Sequence, residues 1–418
     1  MNHRQSFKSL DSISTRLTLL IVFTYKFLEH PRLFGPVPTQ EIMLPSSFIG
    51  SEIAFLTSCS LNTFAARTRG DYMITAANAV DSTTTKFSTG VAASFSTTSE
   101  SNNDDEDNTL LARELARCNG GIIDTHIHTA PWFDDAATLI EELDASSVAI
   151  GLLYNPYPKM EMPYDINTYC TSIASASNGK IFTLASLNTT HDDWEEHREF
   201  ELQRLKTGLE DDEVVLGAKL APPNTCLPLT GPIMDDVVEI VNESKQKLLA
   251  IHIGTTPFCG PLGKQFGIEC KCTEEYVNPA LLIPKIEQYP NVTFALLHSG
   301  HEFLPEDSPD YHSFRNVDEC IALADKYPNV YLSISAIFAQ ESDGTLRYPG
   351  GFDVVRKMKE AGITHKVFWG SDASYFQGQI RPVLITAIKA MIEAEWTDEE
   401  RTWALSGCTR KVFNIPIH

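Results

Sequence analysis

The chain lacks the run of about 20 apolar residues that a transmembrane helix needs. Its N-terminal apolar stretch, Leu17 to Phe23, is far too short to span a bilayer. Basic charge is also scarce: 33 Lys and Arg face 55 Asp and Glu, giving a formal net charge of -22. A surface of that sign repels phosphate and makes nucleic acid an unsuitable partner. The nine cysteines are an odd number scattered along the chain, not the dense even framework of a small secreted domain. That usage points to a reducing compartment, and the expected location is cytoplasmic. No Gly-rich phosphate loop follows the first apolar run, and no internal repeat is present.

The acidity is unevenly placed. Residues 1–100 hold eight basic and seven acidic groups, so nearly all of the imbalance lies in the rest of the chain. The first residues are Ser-rich with Arg4, Lys8 and Arg16, which suits a secretory or organelle leader. Lys26 and the want of a small-x-small cleavage site argue against one. Residues 1–81 read as a poorly structured N-terminal extension, with a dispensable or cleaved leader as its preferred role. Residues 82–109, rich in Ser, Thr, Asn and Asp, offer little apolar surface and read as a flexible linker. A structured domain is expected over 110–418, opening with a helical LLARELAR stretch.

From Gly121 onward one theme recurs: a short apolar run, a polar loop, then a stretch with helical spacing. The runs lie at 121–128, 147–154, 181–187, 214–220, 248–254, 292–298, 330–335 and 366–372. Near-continuous hydrophobicity marks strands buried on both faces, and helices between them imply parallel crossovers. Eight such units predict an α/β fold, a (β/α)8 TIM barrel, with an open doubly wound sheet as the alternative.

Ionisable residues end these runs: His126 and His128 on the first, Lys219 on the fourth, His252 on the fifth, His298 on the sixth and Asp372 on the eighth. In a closed parallel barrel those ends converge on one mouth. His126 and His128 stand two apart on a strand, so both leave the same face and can reach one ion. Either alone could merely cap a strand by hydrogen bonding. The aromatics Trp132, Phe133, Tyr154, Tyr157, Phe338, Tyr375 and Phe376 follow strand ends and could line a pocket. Cys259, Cys270 and Cys272 share one long loop, Thr255 to Asn278, a candidate lid. Lacking a second matching pair, they read as loop thiols ahead of a metal or redox site.

The stretches Asp124-Thr125-His126-Ile127-His128, Gly217-Ala218-Lys219-Leu220, Ile251-His252-Ile253-Gly254, His298-Ser299-Gly300-His301, Gly370-Ser371-Asp372 and Thr409-Arg410-Lys411-Val412-Phe413 resemble the amidohydrolase superfamily. The nearer resemblance is to its amidohydrolase-related branch, which includes aminocarboxymuconate semialdehyde decarboxylase. The resemblance covers about residues 121–418. It implies that His126, His128, His252 and Asp372 hold one divalent metal, zinc first, and that His298 is the general acid/base, with Asp372 sharing the proton transfer. His301 stands where many relatives have Gly. Lys219 stands where binuclear members carry a carbamylated lysine, but a charged pocket residue is the preferred reading in this branch. Lys219, His301, Trp132 and Tyr375 are the expected substrate-binding residues. The implied reaction is hydrolysis of a small-molecule ester, lactone or amide by a metal-activated water. Non-oxidative decarboxylation of an aromatic or unsaturated acid is the alternative, and a non-catalytic scaffold a third. Relatives of the branch often form homodimers, which makes a homodimer the expected assembly.

Overall fold

The computed structural model describes residues 101–128, 135–154, 165–187, 194–210, 213–259, 270–303, 314–340, 346–348, 350–374 and 379–415. Within them an N-terminal helix, α1 (Ser101–Arg117), leads into an alternation of strands and helices. The strands are β1 (Ile122–His128), β2 (Val148–Tyr154), β3 (Ile181–Ser186), β4 (Val215–Leu220), β5 (Leu248–His252), β6 (Thr293–Leu297), β7 (Val330–Ser333), β8 (Val367–Phe368) and a two-residue β9 (Ala373–Ser374). Each pairs in parallel with its sequence neighbour from β1 to β8, and β9 returns to pair with β1. This is the predicted TIM barrel, in a nearly closed form.

Two apolar layers hold it together. Inside the barrel, Ile123, Leu152, Leu184, Leu216, Ala250, Ala295, Leu297 and Phe368 pack with Val412 and Phe413 of the C-terminal helix. Outside, the strands pack against amphipathic helices, among them α2 (Ala136–Ala145), α3 (Ile166–Ala176), α4 (Trp194–Gly208), α5 (Pro232–Glu243), α6 (Arg315–Lys326), α7 (Gly351–Glu360) and α8 (Ile380–Glu393). Leu143, Val237, Val241, Leu323, Val354 and Leu384 on these helices are fully or almost fully buried. Polar caps start two of the helices: Asp135 accepts from the Thr138 N–H at 2.8 Å and Asp165 from that of Thr168 at 2.8 Å.

Strand periodicity then aims the chemistry. Leu248 and Ala250 belong to the inner layer, and His252 continues their row; Ile150 and Leu152 are continued by Tyr154. Gly254 follows β5 with φ +96°, and a Cβ there would lie 2.2 Å from the His301 carbonyl oxygen. Only glycine allows the chain after β5 to lie this close to the turn after β6.

Two boundaries differ from the sequence reading. The run at 366–372 is not one strand: pairing stops after Phe368 and resumes at Ala373. Between them the chain closes the barrel by other means, with the Trp369 carbonyl accepting from Thr125 Oγ1 at 2.7 Å and the Asp372 N–H donating to the His126 carbonyl at 2.7 Å. Residues 101–109, assigned to the linker, form the first half of α1. Lys389 pairs with Asp107 at 2.6 Å across α8 and α1, and Arg381 donates to Asn108 at 2.7 Å. These partners give the polar segment a reason to be helical that its own composition conceals. Residues 1–81 and the remainder of the linker lie outside the described residues. Among the described residues no helix is long and apolar enough to cross a membrane.

Candidate metal centre

At the mouth of the barrel His126 and His128 leave one face of β1 with their Nε2 atoms 3.1 Å apart. Asp372 sits on the break between β8 and β9 and brings Oδ1 to 2.9 Å from His126 Nε2 and 3.2 Å from His128 Nε2. Lys219, on β4, places Nζ 3.0 Å from the same His126 nitrogen and 4.3 Å above the Tyr154 ring. An imidazole nitrogen offers one lone pair or one N–H, so three polar neighbours oversubscribe His126 Nε2. A cation shared by the two histidines and the carboxylate relieves that conflict, because nitrogen and oxygen lone pairs are what a divalent ion takes. The ligand atoms of His126, His128 and Asp372 all lie within 4.8 Å of one another.

His252 reaches the same mouth but stands beside this group of three. Its Nε2 donates to the Thr255 carbonyl at 2.9 Å, which leaves the lone pair on Nδ1, and its ring packs on His298 with centroids 4.4 Å apart. His298 opens a short 3-10 turn (His298–Gly300) and lies 5.0 Å, centroid to centroid, from His126. Its Nδ1 is 3.2 Å from the Ser335 carbonyl and 3.1 Å from Ser335 Oγ. His126 Nδ1 lies 3.2 Å from that same hydroxyl.

The backbone at the site is strained. His298 (φ +61°), Ser299 (φ +52°), Ala336 (φ +66°) and Asp372 (φ +59°) all occupy left-handed conformations. Non-glycine residues hold such angles only where their surroundings enforce them, and such strain gathers at functional sites. Asp124 supplies part of the enforcement. Its buried Oδ1 accepts from the backbone N–H of His126 at 3.0 Å and of Ser371 at 2.8 Å, tying the end of β1 and the β8–β9 break together. Ser371 adds a hydrogen bond from Oγ to the His126 carbonyl at 3.2 Å.

Burial governs the charges. It pushes His298 down to about 4 against the opposing pull of Asp372, so the ring is neutral at pH 7. Burial likewise holds His126 and His252 well below the ordinary histidine value, with Lys219 adding to the effect on both. Lys219 falls to about 7 by burial, opposed by Asp372, and is part-charged at neutral pH. Burial would raise Asp372, but the hydrogen bonds and charge of His126, together with His128 and His298, hold it well below the carboxylate range. Burial raises Asp124 to about 7, its two backbone N–H partners notwithstanding.

The predicted substrate residues divide. Lys219 and Tyr154 adjoin His126, and His301 is buried at 4.9 Å from the Phe303 ring and 5.9 Å from that of Tyr348. Phe303 also packs edge-on against His298 at 5.5 Å. Nothing in the local sequence pattern of Phe303 and Tyr348 distinguishes them from core aromatics, so sequence reasoning misses both. Phe338 is such a core residue, fully buried with its ring 6.2 Å from that of Phe352. Trp132, Phe133, Tyr157, Tyr375 and Phe376 lie outside the described residues.

One thiol assignment is corrected. Cys259 and Cys272 are joined as a disulfide across the loop after β5, with Cα atoms 5.9 Å apart, and Cys270 is not part of it. The loop-thiol reading of Cys259 and Cys272 assumed that odd, scattered cysteines remain unpaired. Loop closure in space is invisible to spacing alone.

Residues 232–415 match a family model described as Amidohydrolase. No curated protein matches the chain. Among solved structures, the chain is similar to two provisionally described as 2-pyrone-4,6-dicarboxylic acid hydrolases. One, from Acinetobacter baumannii, is 18% identical, with 70% of this chain and 99% of that chain covered and a TM-score of 0.43. The other, from Pseudomonas putida, is 16% identical, with 71% and 99% covered and a TM-score of 0.46. A 5-carboxyvanillate decarboxylase from Novosphingobium aromaticivorans, complexed with manganese, is 12% identical, with 70% and 96% covered and a TM-score of 0.43. The family model covers the second half of the barrel, and His126, His128 and Asp372 gather at the barrel's mouth.

Proposed function

We propose that the barrel is a metal-dependent hydrolase of a small-molecule ester, lactone or amide, of the amidohydrolase-related branch. The observation that carries this reading is the convergence of His126, His128 and Asp372 on one point, around a histidine nitrogen with more polar neighbours than hydrogen bonds can satisfy. Those three residues would hold the ion, with His252 a fourth candidate through Nδ1. Zinc suits two imidazoles and a carboxylate, and manganese is the alternative. When bound, a divalent ion lowers the pKa of water toward neutrality and polarises a carbonyl.

The remaining steps fall to the chain. His298, neutral and with Nδ1 turned toward the Ser335 carbonyl, offers Nε2 as a base that takes a proton and returns it to the leaving group. Asp372, ionised and 27% exposed, is the second proton carrier. His301, Phe303 and Tyr348 form an aromatic wall beside His298 against which an apolar part of the substrate can rest. Trp132 and Tyr375 remain candidate substrate contacts, and a homodimer the proposed assembly, to be checked by sedimentation. His298→Ala should keep its metal and lose turnover across a panel of lactones and esters. Loss of the metal in that variant would refute the role given to His298.

Lys219 favours a second reading. A part-charged ammonium buried beside the ligands is what a substrate carboxylate needs, and a carboxylate substrate is also what a decarboxylase takes. Carbon dioxide release from hydroxybenzoates, with lactones inert, would select decarboxylation over hydrolysis.

A further inference from the structure

Ser335 follows β7, is fully buried, and touches both histidines on which the proposed chemistry depends. We propose that Ser335 is a positioning residue that fixes the ring tautomer of His126 and of His298 together. The inference rests on the reading that His126 is a metal ligand.

The argument follows from what each oxygen can do. The Ser335 carbonyl can only accept, and a bare Nδ1 lone pair would face it at 3.2 Å, so the proton belongs on His298 Nδ1, with the hydroxyl at 3.1 Å a second acceptor and the lone pair left on Nε2. The Ser335 hydroxyl oxygen lies 3.2 Å from His126 Nδ1, and it has two lone pairs with which to accept. His126 meets His128 and Asp372 through Nε2, so ligation requires its proton on Nδ1, where Ser335 Oγ receives it. One serine thus presents both Nε2 lone pairs, one for the ion and one for a proton. The backbone fixes the serine in turn: the Ile334 N–H donates to the Phe368 carbonyl at 3.0 Å, and Ala336 is held in a left-handed conformation.

Both histidines reach the Ser335 hydroxyl, but His298 alone of the two also has the Ser335 carbonyl, which makes the proposal testable. Ser335→Ala keeps the carbonyl and loses the hydroxyl. It should leave His298 in the Nδ1–H form and weaken Zn2+ binding by roughly 10- to 100-fold, the usual cost of losing a partner that orients a ligand. Ser335→Thr, which restores the hydroxyl, should recover most of that affinity. Tautomers are read from long-range 1H–15N spectra and affinity from competition with a chromophoric chelator, with thermal melts confirming folding. An Nε2–H tautomer for His298 in the wild type overturns the proposal. So does a folded Ser335→Ala protein that binds Zn2+ as tightly as the wild type. If the alanine variant fails to fold, the wild-type His298 tautomer still decides. A wild type that takes up no Zn2+ overturns the metal reading instead, and the position of the His298 proton in the metal-free protein then decides separately for or against Ser335.

Discussion

Replacing Gly254 by alanine perturbs the site without touching a ligand. The added Cβ would stand 2.2 Å from the His301 carbonyl oxygen, 2.7 Å from the Gly300 carbonyl carbon and 2.9 Å from its oxygen. All three are backbone atoms, so no flexible side-chain end can swing aside. Overpacking of this kind costs roughly 1–3 kcal/mol. Holding alanine at φ +96° adds about 1 kcal/mol more. The expected loss is therefore about 2–4 kcal/mol, measured as a shift in the urea midpoint at constant m-value. The direction of relief matters as much as the size. The obstructing atoms belong to the turn that begins at His298, so relief moves that histidine relative to His126 and Asp372. A displacement of about 1 Å at such a group costs on the order of 100-fold in rate. The variant should keep its metal, since none of His126, His128 and Asp372 lies on that turn. A Gly254→Ala protein with wild-type stability and turnover would refute the close packing of the β5 and β6 ends and the importance of where His298 sits.

Acid should destabilise the metal-free protein. His298 stands at about 4 when folded against about 6.5 when unfolded, so between these values the unfolded chain binds more protons. The stability is complete above about pH 6.5 and is lost as the pH falls toward 4, by about 3 kcal/mol from His298 alone. His126 and His252 shift the same way, while Asp124, raised to about 7, favours the folded state at low pH and offsets one of the three. Urea midpoints that rise from pH 7.5 to pH 5 would contradict the buried, neutral histidines. For the loop after β5, reduction or Cys259→Ser should lower stability by about 3 kcal/mol on the chain-entropy account of a short closed loop. Melting curves that coincide with and without dithiothreitol would count against that disulfide.

Much of the architecture was legible because two periods are physically enforced. Strands buried on both faces must be apolar almost throughout, which marked all eight runs, and residues two apart must share a face, which paired His126 with His128. Other features left no such mark. The break in β8 hides within KVFWGSD because its cause is the left-handed turn at Asp372 and the hydrogen bonds to Asp124 and His126, which involve residues some 250 positions away. The first half of α1 is too polar to read as helix without knowledge of Lys389 and Arg381. His252 ends its strand as the others do, yet its hydrogen bond to the Thr255 carbonyl sets it beside the three-residue group. Ser335 is one serine among many in the sequence; only the fold brings it between two histidines.

A crystal structure of the protein loaded with Zn2+ tests the central claim most directly. The account predicts one ion at the barrel mouth, about 2.0–2.2 Å from His126 Nε2, His128 Nε2 and an oxygen of Asp372, with Lys219 Nζ no longer bonded to His126. An ion held elsewhere, or no ion at a full equivalent of zinc, would contradict it.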